Sequence, residues 1–241
     1  MTQGEWEPSR VLHISSNYSD VTSVIPFLYP LLDPDKDTFF VSASDALQEL
    51  LDSSPLSDSD SQAGRIHLAQ PILAWLDLQG TKILQNTLQT GNVDEISHST
   101  CKLLSALGDH STAYLCQNVV NNTVPTLSSE YGNIFPPGQK TNGQLVQNYL
   151  RVMLDYTGLP GYYGVDEESS ELTNTFWYLF QESLWETSWA DHPESLAGDP
   201  NAVVKAVYVE LVRILQRKCQ YPPEGHGWPK GKLLSTSALL L

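Results

Sequence analysis

The sequence has few cysteines and no long apolar run. Its three cysteines, Cys101, Cys116 and Cys219, are odd in number and far apart, so a disulfide framework is not expected and a reducing compartment is favoured. No run approaches the roughly 20 apolar residues of a membrane-spanning helix, so membrane insertion is not expected. The amino terminus, MTQGEWEPSR, has neither a basic start nor an apolar core, and no secretory signal is predicted.

Basic side chains are also scarce. The chain has 13 Lys and Arg against 28 Asp and Glu, which gives a formal net charge of −15. A surface of this sign repels the phosphate backbone, so direct nucleic-acid binding is not expected and basic protein partners are favoured. The imbalance is concentrated between Arg151 and Lys205, an interval that holds ten acidic residues and no basic one.

This acidic interval supplies the candidate protein-binding residues. We expect a docking surface for basic partners, and the alternative is that the same acids only solvate helix ends and loops. The candidates are Asp155, Asp166, Glu167, Glu168, Glu171, Glu182, Glu186 and Asp191.

The residue patterns of catalytic and metal sites are missing. The histidines and cysteines lack the paired spacing of a zinc site, so His98 and Cys101, which could share one side of a helix, are interpreted as structural. No Gly-x-Ser-x-Gly nucleophile motif occurs. The segment 225–232 resembles a phosphate-binding loop only loosely, because Leu233 stands where serine or threonine is needed. We therefore expect a protein that is not an enzyme and has no cofactor or metal.

Apolar residues recur at helical spacing through the stretch 141–186. Its first half carries a single apolar stripe, formed by Leu145, Val146, Tyr149, Leu150, Met153 and Tyr156. This helix is expected to end at Gly158, because glycine can adopt the left-handed conformation of a helix end. Its second half predicts a helix that is apolar on nearly all sides and covered by neighbours on several flanks. The residues concerned are Leu172, Phe176, Trp177, Tyr178, Leu179, Phe180, Leu184 and Trp185.

Glycines and capping residues divide the remaining apolar stripes into helices. A cap is predicted at Ser42 and another at Asn92. We expect one helix to break at Gly80 and another to stop at Gly108, where Asp109 can cap the next. No alternating strand pattern competes with these stripes, and roughly eight helices are predicted, paired about every 40 to 50 residues as in HEAT-type repeats.

The predicted fold is all-α, an α-solenoid of antiparallel helix pairs with HEAT- or armadillo-like repeats. A helical hairpin cannot bury its outer surfaces alone, so further hairpins are expected to stack against it; an ordinary helical bundle is the alternative. The repeats are assigned to residues 20–229, with loops at 52–64 and 121–140. An irregular start is expected at 1–19, and a divergent or truncated tail at 230–241.

Four separated segments resemble, in the same order, the importin-13 type of karyopherin-β, in the form of its fungal members. They are Gln89–Ser111, Tyr156–Val165, Leu172–Gln181 and Val207–Trp228, and the resemblance extends over about residues 40–232. It implies HEAT repeats wound into a right-handed superhelix. Members of this family are several times longer than the chain, and the resemblance transfers no functional residue to a position here.

The resemblance implies a fragment of a nuclear transport receptor, in which the small GTPase Ran governs the loading and release of protein cargo. The expected partners are cargo with basic patches, Ran and, in the full-length receptor, nucleoporins. The receptor is expected to shuttle between nucleus and cytoplasm. The alternative function is a generic helical-repeat scaffold or trafficking adaptor without Ran dependence, and the sister karyopherins that import splicing factors are the alternative within the same class.

Overall fold

The computed structural model describes residues 24–52, 68–120, 140–161, 169–186 and 200–220. Within these ranges 86% of the residues are helical, none lies in a strand, and there are seven helices. The all-α prediction is therefore confirmed. The helices are α1 (24–28, extended by a 3₁₀ turn Tyr29–Leu31), α2 (Asp37–Asp52), α3 (68–90), α4 (Glu95–Asn118), α5 (Asn142–Thr157), α6 (Thr173–Glu186, preceded by a 3₁₀ turn Ser169–Leu172) and α7 (Pro200–Lys218).

Consecutive helices from α2 to α7 alternate between two layers. The longest helix, α4, packs most extensively against α2 on one side and α6 on the other, so these three helices form one layer. In the second layer α5 lies between α3 and α7. Contacts of α4 with α3 and α5, and of α5 with α6, join the layers. Because each helix pair contacts mainly the neighbouring pairs, the arrangement is the α-solenoid that the sequence predicts.

The small side chains of α4 let its neighbours approach closely. Its buried positions include Ser97, Ser99 and Ser105 as well as leucines. The Ser44 hydroxyl of α2 donates to the Ser99 carbonyl oxygen at 3.1 Å, which joins α2 to α4. Because serine adds nothing to an apolar stripe, hydrophobic periodicity does not indicate how deeply α4 is buried.

The predicted stop at Gly108 is displaced. Helix α4 passes through Gly108 and has a kink three residues later at Ser111, where φ is −129° and ψ is 19°, before it continues to Asn118. A Cβ atom on residue 108 would overlap with the ring of Phe176 and the hydroxyl of Tyr149. Glycine at this position is therefore explained by the close contact between helices and not by a helix end.

Two helices begin elsewhere than predicted. Helix α2 begins at Asp37, and the Ser42 hydroxyl, expected to cap its start, donates to the Thr38 carbonyl oxygen inside the helix at 3.1 Å. The cap of α4 is Asp94 and not Asn92, because the Asp94 carboxylate accepts a backbone N–H of the first turn at 2.7 Å.

The predicted break at Gly80 is also wrong. Helix α3 continues through this residue, and the turn Leu76–Gly80 is a single π-helical turn. A Cβ atom on Gly80 would lie 2.9 Å from side-chain atoms of both Leu76 and Trp75. As at Gly108, the absence of a Cβ atom leaves room for bulky side chains to pack against an uninterrupted stretch of helix.

Helix α5 has the end and the buried face that the sequence predicts. All six residues of its apolar stripe are buried, and a capping box between Thr141 and Gln144 fixes its start. The helix ends at Gly158 as predicted, but the stated reason is wrong because φ of Gly158 is −87°. Left-handed φ values occur instead at Gly91 (68°) and Gly161 (121°).

The predicted loops and termini lie largely outside the described residues. Only Asp52 of the loop at 52–64 and Lys140 of the loop at 121–140 are described, and the segments 1–19 and 230–241 are not. The assignment of repeats to 20–229 therefore stays a prediction. None of the helices in the described ranges is both long and apolar enough to cross a membrane.

Candidate protein-binding surface

Three of the eight candidate acidic residues have described side chains. Asp155 lies on α5, Glu171 lies in the 3₁₀ turn before α6, and Glu182 lies on α6. The other five, whose side chains fall outside the described part of the chain, are Asp166, Glu167, Glu168, Glu186 and Asp191.

The structure brings Glu171 and Glu182 to the α6 segment and leaves Asp155 apart. Both glutamates are exposed, Glu171 in the turn that leads into α6 and Glu182 on α6 itself. Asp155 belongs to the other layer and is half-buried. Its burial raises the pKa of its carboxyl group, and the nearby Arg151 opposes that shift. The predicted acidic surface is thus divided between the two layers.

Exposed aromatic rings accompany the two glutamates. Tyr178 is 64% exposed and Trp185 is 74% exposed. They are two helical turns apart on one side of α6, and Glu182 lies between them at the spacing of surface neighbours on a helix. We refer to Glu171, Tyr178, Glu182 and Trp185 as the α6 stripe.

The opposite side of α6 contributes to the aromatic core. Phe176, Trp177 and Phe180 are all buried. Tyr149 of α5 meets Phe176 edge-on with ring centroids 5.3 Å apart, and Tyr208 of α7 stacks on Phe180 at 6.4 Å. Neighbours therefore cover α6 on several flanks, as predicted, while the side that carries the α6 stripe is open to solvent.

Buried hydrogen bonds fix which side of α6 faces the solvent. Trp177 Nε1 donates to Thr157 Oγ1 at 2.9 Å, and the Thr157 hydroxyl donates to the Met153 carbonyl oxygen at 2.6 Å. The Thr157 and Thr173 hydroxyl oxygens lie 2.8 Å apart. Because these bonds tie the first turns of α6 to the last turn of α5, they hold the rotation of α6 about its axis.

His98 and Cys101 hold the turn that precedes α6. His98 Nδ1 lies 2.8 Å from Ser169 Oγ, and Cys101 Sγ donates to the Ser169 carbonyl oxygen at 3.4 Å. Ser169 is itself buried, so these contacts position the backbone. Among the described residues no group of three or more His, Cys, Asp or Glu side chains is placed to hold a metal ion.

Charge is segregated between the two layers. Helices α2, α4 and α6 contain eight acidic residues and a single basic one, Lys102. Helices α3, α5 and α7 contain three acidic and six basic residues. This segregation is not visible in the sequence, because the acidic residues of α2, such as Asp45, are far in the chain from those of α6 and join the same layer only when both helices pack on α4. The layer of α2, α4 and α6 therefore carries a net negative charge and is called here the acidic layer.

A two-layer helical solenoid defines the class of protein, namely a helical-repeat protein. Known proteins are similar to it in sequence. Human importin-13 is 30% identical over 199 residues, which covers 79% of this chain and 18% of the human protein. Importin-13 of Bos taurus is 29% identical over 199 residues with the same coverage. Importin-13 of Gallus gallus is 30% identical over 146 residues, which covers 58% of this chain and 12% of that protein.

These relatives identify the chain as an importin-13-like karyopherin, and the chain spans 18% of the length of the human relative. The resemblance inferred from the four segments is thereby confirmed for the importin-13 type. The relatives come from mammals and a bird, and a fungal origin is not shown. No protein-family model matches the chain, and no solved structure matches it significantly.

Proposed function

We propose that the chain is a protein-binding part of a nuclear transport receptor that shuttles between nucleus and cytoplasm. In this proposal the receptor carries protein cargo under the control of Ran, contacts nucleoporins as a full-length protein, and is not an enzyme. The observation that carries the proposal is the similarity to importin-13 over 79% of the chain. The solenoid supports it, because stacked helices offer a long surface for contact with other proteins.

The acidic layer is the proposed docking surface. Its helices hold eight acidic residues against one basic residue, so a basic cargo surface would be attracted to it and oriented on it before contact. Glu171 and Glu182 are the predicted site residues that lie on this layer. Asp155 lies on the other layer and would need a cargo that reaches around the solenoid.

Binding of purified core histones, as a basic probe, to the immobilised chain tests this surface. We expect binding that weakens steeply with added salt, since exposed charges are screened beyond about 10 Å at about 0.1 M salt. The double variant Glu171→Gln/Glu182→Gln should weaken binding by about three- to tenfold at low salt, a loss typical of two exposed ion pairs. The control is Glu210→Gln on α7, which removes one negative charge from the other layer, where Glu210 pairs with Arg213, and should leave binding unchanged.

Ran dependence is tested by adding GTP-loaded Ran to the bound histones. Displacement of the probe, or direct capture of GTP-loaded but not GDP-loaded Ran, supports a transport receptor. Salt-sensitive histone binding that is unchanged by either GTP-loaded or GDP-loaded Ran would instead indicate a helical-repeat scaffold or adaptor. Binding that is insensitive to both salt and the glutamate variants would exclude the acidic layer as the contact.

A further inference from the structure

The α6 stripe combines two features that an acid-rich surface does not need. Glutamates alone would attract any cation, yet Tyr178 and Trp185 are 64% and 74% exposed beside them. Leaving two large rings in water has a cost that burial in the core would avoid. The aromatic faces therefore point to a ligand that uses both charge and ring stacking.

We propose that the α6 stripe binds an extended, arginine-containing segment of a partner protein and prefers arginine to lysine. This inference rests on the proposed function, in which basic partners dock on the acidic layer, and it specifies the chemistry of the partner. A guanidinium group is planar, stacks on aromatic faces and pairs with a carboxylate through two parallel hydrogen bonds. An ammonium group is more strongly hydrated and cannot stack in this way.

The carboxylates of the α6 stripe are available to such a ligand. Glu171 and Glu182 form neither ion pairs nor side-chain hydrogen bonds within the described part of the chain. Helix α6 contains no Lys or Arg that could pair with them. Tyr178 and Trp185 likewise form no ring contact with a described residue.

The spacing of the rings indicates the spacing of the arginines. Seven helical residues advance by about 10 Å, which is the separation of Tyr178 and Trp185 along α6. In a polyproline II segment, side chains three residues apart point the same way and lie about 9 Å apart. An Arg-x-x-Arg segment lying along α6 would therefore place one guanidinium on each ring, and Glu182 lies between the rings to pair with either.

The test uses fluorescein-labelled synthetic peptides and the full chain in anisotropy titrations at low salt. The first peptide contains Arg-Pro-Pro-Arg, the second Lys-Pro-Pro-Lys, and the third has its two arginines adjacent to each other. We expect the first to bind about fivefold or more tightly than the second, which corresponds to one to two exposed cation–π contacts. The third peptide should lose about half of the binding free energy that the first gains over the lysine peptide, because its adjacent arginines can stack on only one ring at a time.

Ring-removing variants separate stacking from charge. Tyr178→Ala/Trp185→Ala should lose most of the preference for the arginine peptide, whereas Phe27→Ala, which removes an exposed aromatic ring from α1, should keep the preference. Equal binding of both peptides to the unaltered chain would overturn the arginine proposal and leave the acidic layer as a docking surface. If Glu171→Gln/Glu182→Gln also fails to weaken any peptide, the docking surface on α6 fails as well.

Discussion

Phe176 lies so close to Gly108 that a Cβ atom on residue 108 would overlap with its ring. Tyr149 reaches the same point from α5, and its hydroxyl donates to the Leu104 carbonyl oxygen at 2.8 Å. Three helices from two layers thus meet at one glycine. The contact sets how closely α6 packs on α4 and therefore where the α6 stripe is presented.

Gly108→Ala is expected to destabilise the protein. Alanine favours a helix interior over glycine by about 1 kcal/mol, but here two rings would have to move, and overpacking costs about 1–3 kcal/mol. We expect a net loss of about 1–2 kcal/mol in the free energy of unfolding, read from the urea midpoint. The converse change at an exposed position of the same helix, Ala113→Gly, should lose about 1 kcal/mol through propensity alone. A Gly108→Ala protein more stable than the parent would show that the rings do not constrain residue 108.

Prediction from the sequence succeeds best for a helix whose ends and buried face are set by its own residues. Helix α5 has a capping box, a single apolar stripe and a terminal glycine, and its buried face is the predicted one. The period alone is sufficient there because the buried residues are large and apolar. The resemblance to importin-13 was also detectable from the sequence, since several separated segments match in the same order.

Prediction fails where the reason for a residue lies on another helix. Gly108 looks like a helix end, and only the positions of Phe176 and Tyr149 show that it is a contact. Tyr178 and Trp185 look like core residues, because periodicity treats an exposed ring as it treats a buried one. The acidic layer could not be predicted from the sequence either, because its acidic residues are distant in the chain and share a layer only in the folded protein.

Thr157→Val is expected to destabilise the junction of α5 and α6. The change keeps the size of the side chain but leaves the buried Trp177 N–H without its acceptor. An unpaired buried donor costs about 1–3 kcal/mol, and we expect a loss of about 2 kcal/mol by urea unfolding. Thr157→Ser keeps the hydroxyl and is the control, with a loss of about 1 kcal/mol for the missing methyl group. Equal losses in the two variants would show that packing, and not the hydrogen bond, holds this junction.

Asp109→Asn is expected to stabilise the protein at neutral pH. Burial raises the pKa of Asp109 from 3.8 to about 6, with a lowering by His110 and a further raising by Asp52, and one buried carboxylate oxygen has no hydrogen-bond partner. The folded state therefore holds a proton that the unfolded state releases between about pH 4 and 6, so stability falls as pH rises through this window. Because the group is half-exposed, we expect a gain of only about 1 kcal/mol at pH 7.

The pH dependence of that gain is the decisive measurement. Thermal unfolding of Asp109→Asn should differ from the parent at pH 7 and approach it as the pH falls below the unfolded pKa of 3.8, where the parent carboxyl group becomes protonated in both states. The control is Asp45→Asn on the exposed side of α2. The difference in stability between this variant and the parent should not change with pH in the same way. A gain that persists unchanged at pH 4 would mean that the asparagine acts through a new hydrogen bond and not by removing a buried charge.

The exposed side of α7 is expected to promote self-association. Val209 and Val212, one helical turn apart, are each 51% exposed. Exposed apolar side chains that adjoin on one face favour contact with another apolar surface, so we expect the chain to form dimers or larger species in sedimentation velocity at micromolar concentration. Val209→Gln/Val212→Gln should shift the population toward monomer, because it adds polarity to this face without changing the net charge.

Lys205→Gln, an exposed change on the same helix, should leave the distribution of monomers and larger species as it is. A parent chain that sediments as a single monomeric species over this range would contradict the prediction, since the valines would then be tolerated in water without a partner.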